Sequence, residues 1–419
     1  MRIWIISWLL SALFNDAQSQ DVPVMDSIAE EVESKWMAVD TLADPSLFAL
    51  PLEYEYIPGE VTPELVEDRL SCIQKTIPLT YHSTVHGFID YFTMRNRDFT
   101  KQMLRRKDLY FPMFEKYLAQ YNLPDELKYL SIIESALNPR AVSRASAVGL
   151  WQFMSYTGRY FGLHNDYYFD ERMDPEKSTE AACRYIGQLY NMFGSWELTL
   201  AAYNSGPGTV KRAIRRSGYK KSFWEIYNYL PRETRSYVPQ FIAMIYTINY
   251  AEDHNLFVDD PERTIPHDTI TVNRFLHLET FAKLTGSCTD ELLQLNPTIR
   301  HMAIPDNKSF TLKLPLESKQ EFSARRLAIL DSAARGRKEF EQVARNAVGN
   351  TAGRDLVVYY VRNGDVLGLI AQRHRVRIED IRTWNNLQSN MIRAGQRLNI
   401  WVLSSQKTKT TGTVSAGSQ

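Results

Sequence analysis

The sequence predicts a mainly α-helical domain followed by small α+β units of strand–helix–helix–strand (βααβ) order. Three observations support this class. Residues 121–252 are dense in helical periodicity, and the C-terminal part repeats a strand–helix–helix–strand outline over 269–314 and 356–403. A chain of 419 residues is also too long for a single compact core. We therefore expect about two to four units.

The elements of these units follow from apolar spacing and from start and stop signals. Asp174 before Pro175 indicates a helix start, and Asn138-Pro139 indicates a helix end. Asp365, after the Asn363-Gly364 turn, is expected to cap the following helix. The predicted helices of the first domain cover residues 124–137, 178–193, 197–203, 207–217 and 237–253.

Composition excludes some classes of partner. Hydrophobic residues make up 44% and charged residues 23%, as in ordinary globular proteins. Lys+Arg and Asp+Glu each total 49, so the net charge is zero. Bulk charge therefore gives no indication of nucleic acid or of an anionic membrane, and we expect no nucleic-acid partner.

The N-terminus has the pattern of an export signal. Arg2 precedes an apolar run over residues 3–14, and Ala17-Gln18-Ser19 offers a small-x-small cleavage site. We expect residues 1–19 to be a signal peptide, with no membrane span after cleavage. The alternative is a disordered or anchoring segment. No Cys follows the run to carry a lipid, so a periplasmic protein is expected, and membrane or cell-wall association through an uncleaved signal stays open.

The cysteines do not form a disulfide framework. Cys72, Cys183 and Cys288 are few and far apart, and Cys183 lies in an apolar helical stretch where packing is its expected role.

One carboxylate lies on an apolar helical stripe. Leu127, Leu130, Glu134 and Leu137 follow at i, i+3, i+7 and i+10, so a continuous helix would bring them to one face. Such a carboxylate is costly to ionise, and its pKa is expected to rise toward the range that suits a general acid. The alternative is a helix-edge Glu that reaches water.

Three motifs follow one another around this carboxylate. Glu134-Ser135 precedes Asn138-Pro139 and GLWQFM at 149–154; AAYNSGPG occupies 201–208; ETRSYVP occupies 233–239. Their order and separations resemble the soluble-lytic-transglycosylase domain, in the form of the membrane-bound lytic murein transglycosylase D type. Ser155 departs from the resemblance, because Pro usually follows the Met. That change alters a loop and is not expected to affect the acid.

The resemblance implies a lysozyme-like α fold and cleavage of the MurNAc–GlcNAc β-1,4 bond of peptidoglycan. It makes Glu134 the single general acid/base. This residue would protonate the glycosidic oxygen and then accept the proton of the muramoyl C6 hydroxyl, which attacks C1 and gives a 1,6-anhydro product. Most glycosidases need two carboxylates. The motif region offers no obvious second one, which fits N-acetyl participation and intramolecular attack.

The resemblance also implies a cleft around Glu134. Ser143 would bond a substrate N-acetyl or hydroxyl group, or else only cap a loop. Gln152 and Met154 would line the cleft, with packing as the alternative. Tyr203 and Asn204 would bring a phenol and an amide to the sugar, or simply end a helix. The same resemblance makes Tyr237 a cleft residue and Glu233 a supporting group, for which a structural salt bridge is an equal alternative.

The last unit resembles a LysM domain. The VRNGD start, the WNNL centre and the AGQ-x-L end carry the likeness. A LysM domain binds N-acetylglucosamine-containing glycans between two loops. The matching residues here are Gly364, Asp365, Val366, Leu367, Asn390, Met391 and Ile392. Val366 replaces the usual Thr, which removes a hydroxyl. The 269–314 stretch looks like a degenerate LysM that is structural or a weak binder.

These assignments divide the chain. The expected order is signal peptide 1–19, irregular segment 20–63, helical extension 64–117, catalytic domain 118–255, degenerate LysM-like unit 265–316, charged helical linker with a solvated face 317–355, LysM domain 356–403 and disordered tail 404–419.

No cofactor and no metal site are expected. His82 and His86 have i, i+4 spacing, but no carboxylate lies between them. The expected partner is the peptidoglycan glycan strand, bound by a monomer. Two rivals stay open. One is a muramidase that uses water on the same scaffold, and the other is a non-catalytic wall-binding scaffold.

Overall fold

The computed structural model describes residues 56–306 and 308–403. Within them the chain forms three hydrophobic cores, one for the helical domain and one for each C-terminal unit. The predicted signal peptide, most of the irregular segment and the predicted tail lie outside the described residues. None of the helices in the described part is long and apolar enough to cross a membrane.

The first helices share one core with the domain that follows. They are α1 (Pro63–Ile73), α2 (Ser83–Asp90), a π-helical turn (Tyr91–Arg95) and α3 (Arg97–Gln120). Glu126, from the segment after α3, accepts hydrogen bonds from the backbone N–H groups of Thr76 (2.6 Å) and Ile77 (3.1 Å). The predicted extension is therefore integrated into the helical domain.

The rest of that domain consists of short helices and turns together with two helices of 19 and 18 residues, the second of which is largely buried. They are a 3₁₀ turn (Asp125–Tyr129), α4 (Leu130–Ser135), α5 (Ser155–Tyr160), a 3₁₀ turn (Glu171–Met173), α6 (Pro175–Phe193), α7 (Trp196–Ser205), α8 (Pro207–Arg216), α9 (Phe223–Ile226), a 3₁₀ turn (Tyr227–Tyr229), α10 (Arg232–Asn249) and a 3₁₀ turn (Glu252–His254). Asp174 caps α6 as predicted, because its side chain accepts from the backbone N–H groups of Glu176 and Lys177.

The predicted helix over 124–137 is wrong in its continuity. The segment starts as the 3₁₀ turn, becomes α4, and ends at Ser135 because Ala136 and Leu137 have positive φ angles of 52° and 57°. The apolar stripe still identifies the core, since Leu127, Leu130 and Leu137 are all buried. The other four predicted helices are present with shifted ends; α10, for example, starts at Arg232.

The degenerate LysM-like unit has the expected outline with an added strand pair. It contains β1 (His267–Val272), β2 (Leu276–His277), α11 (Leu278–Thr285), α12 (Thr289–Leu295), β3 (Ala303–Ile304) and β4 (Phe310–Pro315). β1 pairs antiparallel with β4, and β2 with β3.

The stretch predicted to be a solvated linker is helical, but its role is larger than predicted. It forms α13 (Leu316–Ala333) and α14 (Arg337–Asn346). Phe322 and Ile329 of α13 are buried in the core of the LysM-like unit, where Phe322 packs against Phe281. The mixed charges hid this apolar face.

The last unit is a βααβ module. It contains β5 (Arg354–Tyr360), α15 (Leu367–His374), α16 (Ile378–Asn385) and β6 (Arg397–Leu403), with β5 antiparallel to β6. The predicted helix cap at Asp365 is wrong. Its Oδ2 accepts from the Arg362 N–H (2.8 Å) and the Tyr359 hydroxyl (2.6 Å), so it closes the turn before α15 instead.

Candidate active site

Glu134 lies at the end of α4 and is 8% exposed. Two serines of the same helix, Ser131 and Ser135, each donate a hydrogen bond of 2.9 Å to the Leu150 carbonyl oxygen. These bonds tie the helix to the GLWQFM segment. The first motif therefore acts as one structural unit that presents the carboxylate.

Tyr237 of α10 donates its hydroxyl hydrogen to Glu134 Oε1. Burial raises the pKa of Tyr237 well above its ordinary value, and the charge of Glu134 raises it further. The phenol therefore stays protonated at neutral pH and remains a donor to the carboxylate.

Tyr203 contributes its ring to the cleft and its hydroxyl to the fold. The hydroxyl donates to the Trp151 carbonyl oxygen (2.7 Å), while the ring packs against Tyr185 with centroids 5.3 Å apart. Burial, with the nearby charge of Glu134, raises the pKa of Tyr203 well above its ordinary value. Its hydroxyl thus joins the second motif to the first.

Asn204 connects the second motif to the third. Its Nδ2 donates to Glu233 Oε1 (3.4 Å), and its Oδ1 accepts from the Thr234 hydroxyl (2.9 Å). Both ends of the amide are held by the start of α10, so its orientation is defined. Glu233 itself is solvent-exposed.

The loop between α4 and α5 depends on a glycine. Gly149 has a φ of +88°, and a Cβ there would lie 1.8 Å from the Arg172 carbonyl oxygen. Gln152 Nε2 donates to the carbonyl oxygens of Gly149 (2.9 Å) and Ala141 (3.3 Å). Ser143 Oγ accepts from the Ala147 N–H (3.1 Å), so the loop-capping alternative for this serine is present in the structure.

A cavity of about 560 Å³ brings these groups together. The eight residues predicted for the catalytic cleft all line it, namely Glu134, Ser143, Gln152, Met154, Tyr203, Asn204, Glu233 and Tyr237. Their individual roles stay predictions.

Several lining residues were missed by the sequence analysis. Tyr185 of α6 lines the cavity, and so do Ser236 and Gln240 of α10. A signal for the last two was present, because they stand at i+3 and i+7 from Glu233 and so share its helical face. Tyr185 had no such signal, since it belongs to none of the three motifs.

The cleft holds a second carboxylate, Glu233, which the third motif predicts there as a supporting group. Glu134 and Glu233 both line the cavity, one buried and the other exposed. The site therefore contains a buried carboxyl group with a phenolic donor, together with an exposed carboxyl group.

The predicted glycan-binding loops of the last unit border a separate cavity of about 910 Å³. Asp365, Val366, Asn390, Met391 and Ile392 line it. Gly364 is not among its lining residues. The assignment of Leu367 is wrong, because this side chain is 2% exposed and belongs to the core of the module.

No metal site emerges within 56–306 and 308–403, where no group of three His, Cys, Asp or Glu residues could hold an ion. His82 instead stacks on Trp224, with centroids 4.4 Å apart.

Three family models match the chain. The Transglycosylase SLT domain matches residues 112–226, the LysM-like domain of lytic transglycosylase MltD matches 267–330, and the LysM domain matches 359–401. The chain therefore contains one region that matches an SLT domain and two regions that match LysM-type domains. The second match extends into α13, in agreement with the packing of that helix. Glu233 and Tyr237 lie beyond the SLT match, so their place at the site rests on the third motif and on the geometry of the cavity.

Two sequence relatives carry the name membrane-bound lytic murein transglycosylase. The chain is 29% identical over 311 residues to membrane-bound lytic murein transglycosylase D of Escherichia coli K12, a match that covers 73% of this chain and 66% of that protein. It thus spans just under two thirds of that relative. A second relative, membrane-bound lytic murein transglycosylase C of Photorhabdus laumondii, is 31% identical over 30% of this chain and 38% of its own length.

Among solved structures, the 70 kDa soluble lytic transglycosylase of Escherichia coli matches with a TM-score of 0.31 and 23% identity, over 43% of this chain and 33% of that one.

Proposed function

We propose that the protein is a peptidoglycan lytic transglycosylase that cleaves the MurNAc–GlcNAc β-1,4 bond and forms 1,6-anhydro-MurNAc. The observation that carries the proposal is Glu134, buried at the cleft with the Tyr237 hydroxyl donating to it. A buried, donor-supported carboxyl group suits proton transfer in both directions.

The reaction would proceed in two proton transfers. Protonated Glu134 gives its proton to the glycosidic oxygen as the bond from C1 to that oxygen breaks. The substrate N-acetyl group stabilises the positive charge that develops at C1. The C6 hydroxyl then attacks C1, and its proton returns to Glu134. The carboxyl group is regenerated and no water is consumed.

The surrounding residues would orient this reaction. Asn204, held by Glu233 and Thr234, offers an amide to the sugar, and Tyr203 offers an aromatic face. Ser143, Gln152 and Met154 complete the wall of the cleft. The LysM module would hold the glycan through Asp365, Val366, Asn390, Met391 and Ile392. Such tethering raises the local concentration of substrate at the cleft.

Export to the cell envelope belongs to the same proposal. The substrate lies outside the cytoplasm, and the relatives' names include "membrane-bound" and "murein". We propose a periplasmic monomer that works on glycan strands without a cofactor.

The test is mass spectrometry of the soluble products from purified peptidoglycan. The wild-type protein should release anhydro-muropeptides. Glu134→Gln should lower the rate by at least about 100-fold, the lower range for general acid–base catalysis, with an unchanged melting temperature and unchanged glycan binding. Wild-type turnover in that variant would contradict the assignment.

A hydrolase is the second candidate, because Glu233 supplies a second carboxylate at the cleft. Such an enzyme would activate water and leave reducing MurNAc ends. Under our proposal, Glu233→Gln keeps the anhydro product and slows its formation. The hydrolase would be favoured if the wild-type protein produced reducing ends and if Glu134→Gln and Glu233→Gln abolished that product to the same extent. Binding to sacculi without any product would favour a scaffold.

A further inference from the structure

A second groove opens beside the cleft, between the helical domain and the LysM module. It has a volume of about 410 Å³. The helical domain contributes Ser146, Ser155 and Tyr156, and α16 of the module contributes Thr383 together with Asn386 at its end. Ala145 and Met154 line both this groove and the catalytic cavity. The two spaces are therefore adjacent and share part of their walls. We call the second one the junction groove.

Arg159 holds the two sides of the junction groove together. Its Nη2 donates to the Trp384 carbonyl oxygen (3.0 Å), and its guanidinium carbon lies 5.0 Å from the centroid of the Trp401 ring. On the helical-domain side, Nη1 donates to Asn165 Oδ1 (3.0 Å). Burial lowers the pKa of Arg159 to about 10, so it remains a cation at neutral pH.

A second set of bonds reinforces this docking. The Thr351 hydroxyl donates to the Asn165 carbonyl oxygen (2.8 Å), and the Tyr167 N–H donates to Asn350 Oδ1 (3.1 Å). Both bonds join the helical domain to the segment that leads into the LysM module. The groove is therefore a built feature of the docked module.

The lining of the groove has the chemistry of a sugar-binding surface. Tyr156 is 47% exposed and presents an aromatic face. Thr383 and Asn386 are exposed and offer a hydroxyl and an amide. An aromatic face beside hydroxyl and amide groups is a combination found in small-molecule sites.

Charge favours the glycan over the peptide stems of peptidoglycan. Glu379 and Arg382 are the charged lining residues of the groove, so their formal charges cancel. Arg382 also donates to the carbonyl oxygens of Leu387 (3.4 Å) and Gln388 (3.0 Å). No excess of positive charge is left in this groove to attract stem carboxylates.

We propose that the junction groove is a distal subsite that binds the uncharged face of a glycan strand as the strand leaves the catalytic cleft. In this arrangement α16 of the LysM module forms part of the substrate path. This subsite differs from the cavity at the two LysM loops, which involves Val366 and Met391. The inference rests on the proposed function, because it assigns the substrate of the same cleft.

The test compares peptide-free glycan strands of two lengths, a tetrasaccharide and strands of about ten sugars. Tyr156→Ala and Asn386→Gly remove the aromatic face and the amide; Gly keeps the positive φ of 51° at Asn386. Each substitution should lower kcat/KM on the long strands about three- to tenfold, which corresponds to the loss of one hydrogen bond or contact. Neither should change kcat/KM on the tetrasaccharide.

Two controls make the comparison specific. Tyr160→Ala removes an aromatic ring that is 67% exposed on the same helix but lies outside the groove, and it should match the wild type on both lengths. Met391→Ala changes the loop cavity of the module and should lower affinity for both lengths in similar proportion.

Other results would overturn the subsite. A wild-type kcat/KM of Tyr156→Ala on long strands would overturn it. An equal loss of kcat/KM on both strand lengths would overturn it as well. A loss confined to strands that carry peptides would assign the groove to the stems. Affinities measured in the Glu134→Gln background need no turnover. The subsite is therefore tested even if the wild-type protein proves to release no anhydro product.

Discussion

The Tyr237 hydroxyl and the Glu134 carboxylate form a hydrogen bond between residues that are 103 positions apart in the sequence. The bond joins α10 to α4 across the core of the helical domain. Because the phenol is buried and protonated, it stabilises the charged carboxylate. The hydrogen bond therefore links the third motif, which contains Tyr237, to the first motif, which contains Glu134.

Tyr237→Phe tests this pair. Loss of a hydrogen bond to a charged group should lower kcat/KM about 10- to 100-fold. Removing the donor favours the protonated carboxyl group, so the alkaline limb of the pH–rate profile should move to higher pH. Tyr185→Phe keeps its ring in the cleft without touching the carboxylate, and it should not move the limb. An unmoved limb in Tyr237→Phe would show that the bond does not tune the acid.

Gly149→Ala tests the turn that carries GLWQFM. The new Cβ would overlap the Arg172 carbonyl oxygen, so the loop must shift. We expect a loss of about 2–4 kcal/mol in the free energy of unfolding, together with loss of activity. Gly194→Ala is the matched control, because Gly194 has a φ of +64° and a Cβ added there would meet no neighbouring atom within 4 Å. It should lose only about 1 kcal/mol in urea unfolding. Equal losses of unfolding free energy in the two variants would show that the close approach of Gly149 to the Arg172 carbonyl oxygen adds nothing to the cost.

Val366→Thr tests the glycan site of the LysM module. Val366 is 53% exposed at the loop cavity, where a hydroxyl could bond a sugar. One added hydrogen bond should strengthen the binding of chitin oligosaccharides about three- to tenfold in calorimetry. Leu369→Thr adds the same group at an exposed position outside that cavity and should change nothing. Unaltered affinity in Val366→Thr would mean that the first loop does not contact the sugar.

The burial of His254 leads us to expect that the stability of the fold depends on pH. Burial, followed by the charge of Arg69, lowers its pKa from 6.5 to about 4. The unfolded chain therefore binds a proton more readily between these values. The contribution of the neutral His254 imidazole to the free energy of unfolding is fully present above pH 6.5. It is lost as the pH falls toward 4.

His254→Asn should remove this dependence. The difference between wild type and variant in the free energy of unfolding should shrink by about 1–2 kcal/mol from pH 7 to pH 4.5, a figure reduced for partial solvent access. Urea unfolding at several pH values measures this difference. Contributions from carboxylates that titrate in both proteins cancel when the two free energies are subtracted. A constant difference would show that His254 titrates normally.

Most of the candidate site was accessible from the sequence because its residues lie in dense motifs. Glu134, Asn204 and Tyr237 were each identified, and the structure brings them to one cavity. Tyr185 was not identifiable, because a side chain on an ordinary amphipathic helix gives no sign of which face meets a cleft. The opposite error occurred at Leu367, where a loop match concealed a core residue.

The sequence by itself determined the kinds of units, their order and the chemical groups available, because local periodicity and turn chemistry depend on near neighbours. Tertiary structure decided what the groups touch. It broke the helix after Ser135, paired Tyr237 with Glu134, and packed Phe322 into the LysM-like unit. It also docked the LysM module on Arg159 beside the cleft. Such contacts depend on long-range packing and on the burial of polar groups, which no local pattern encodes.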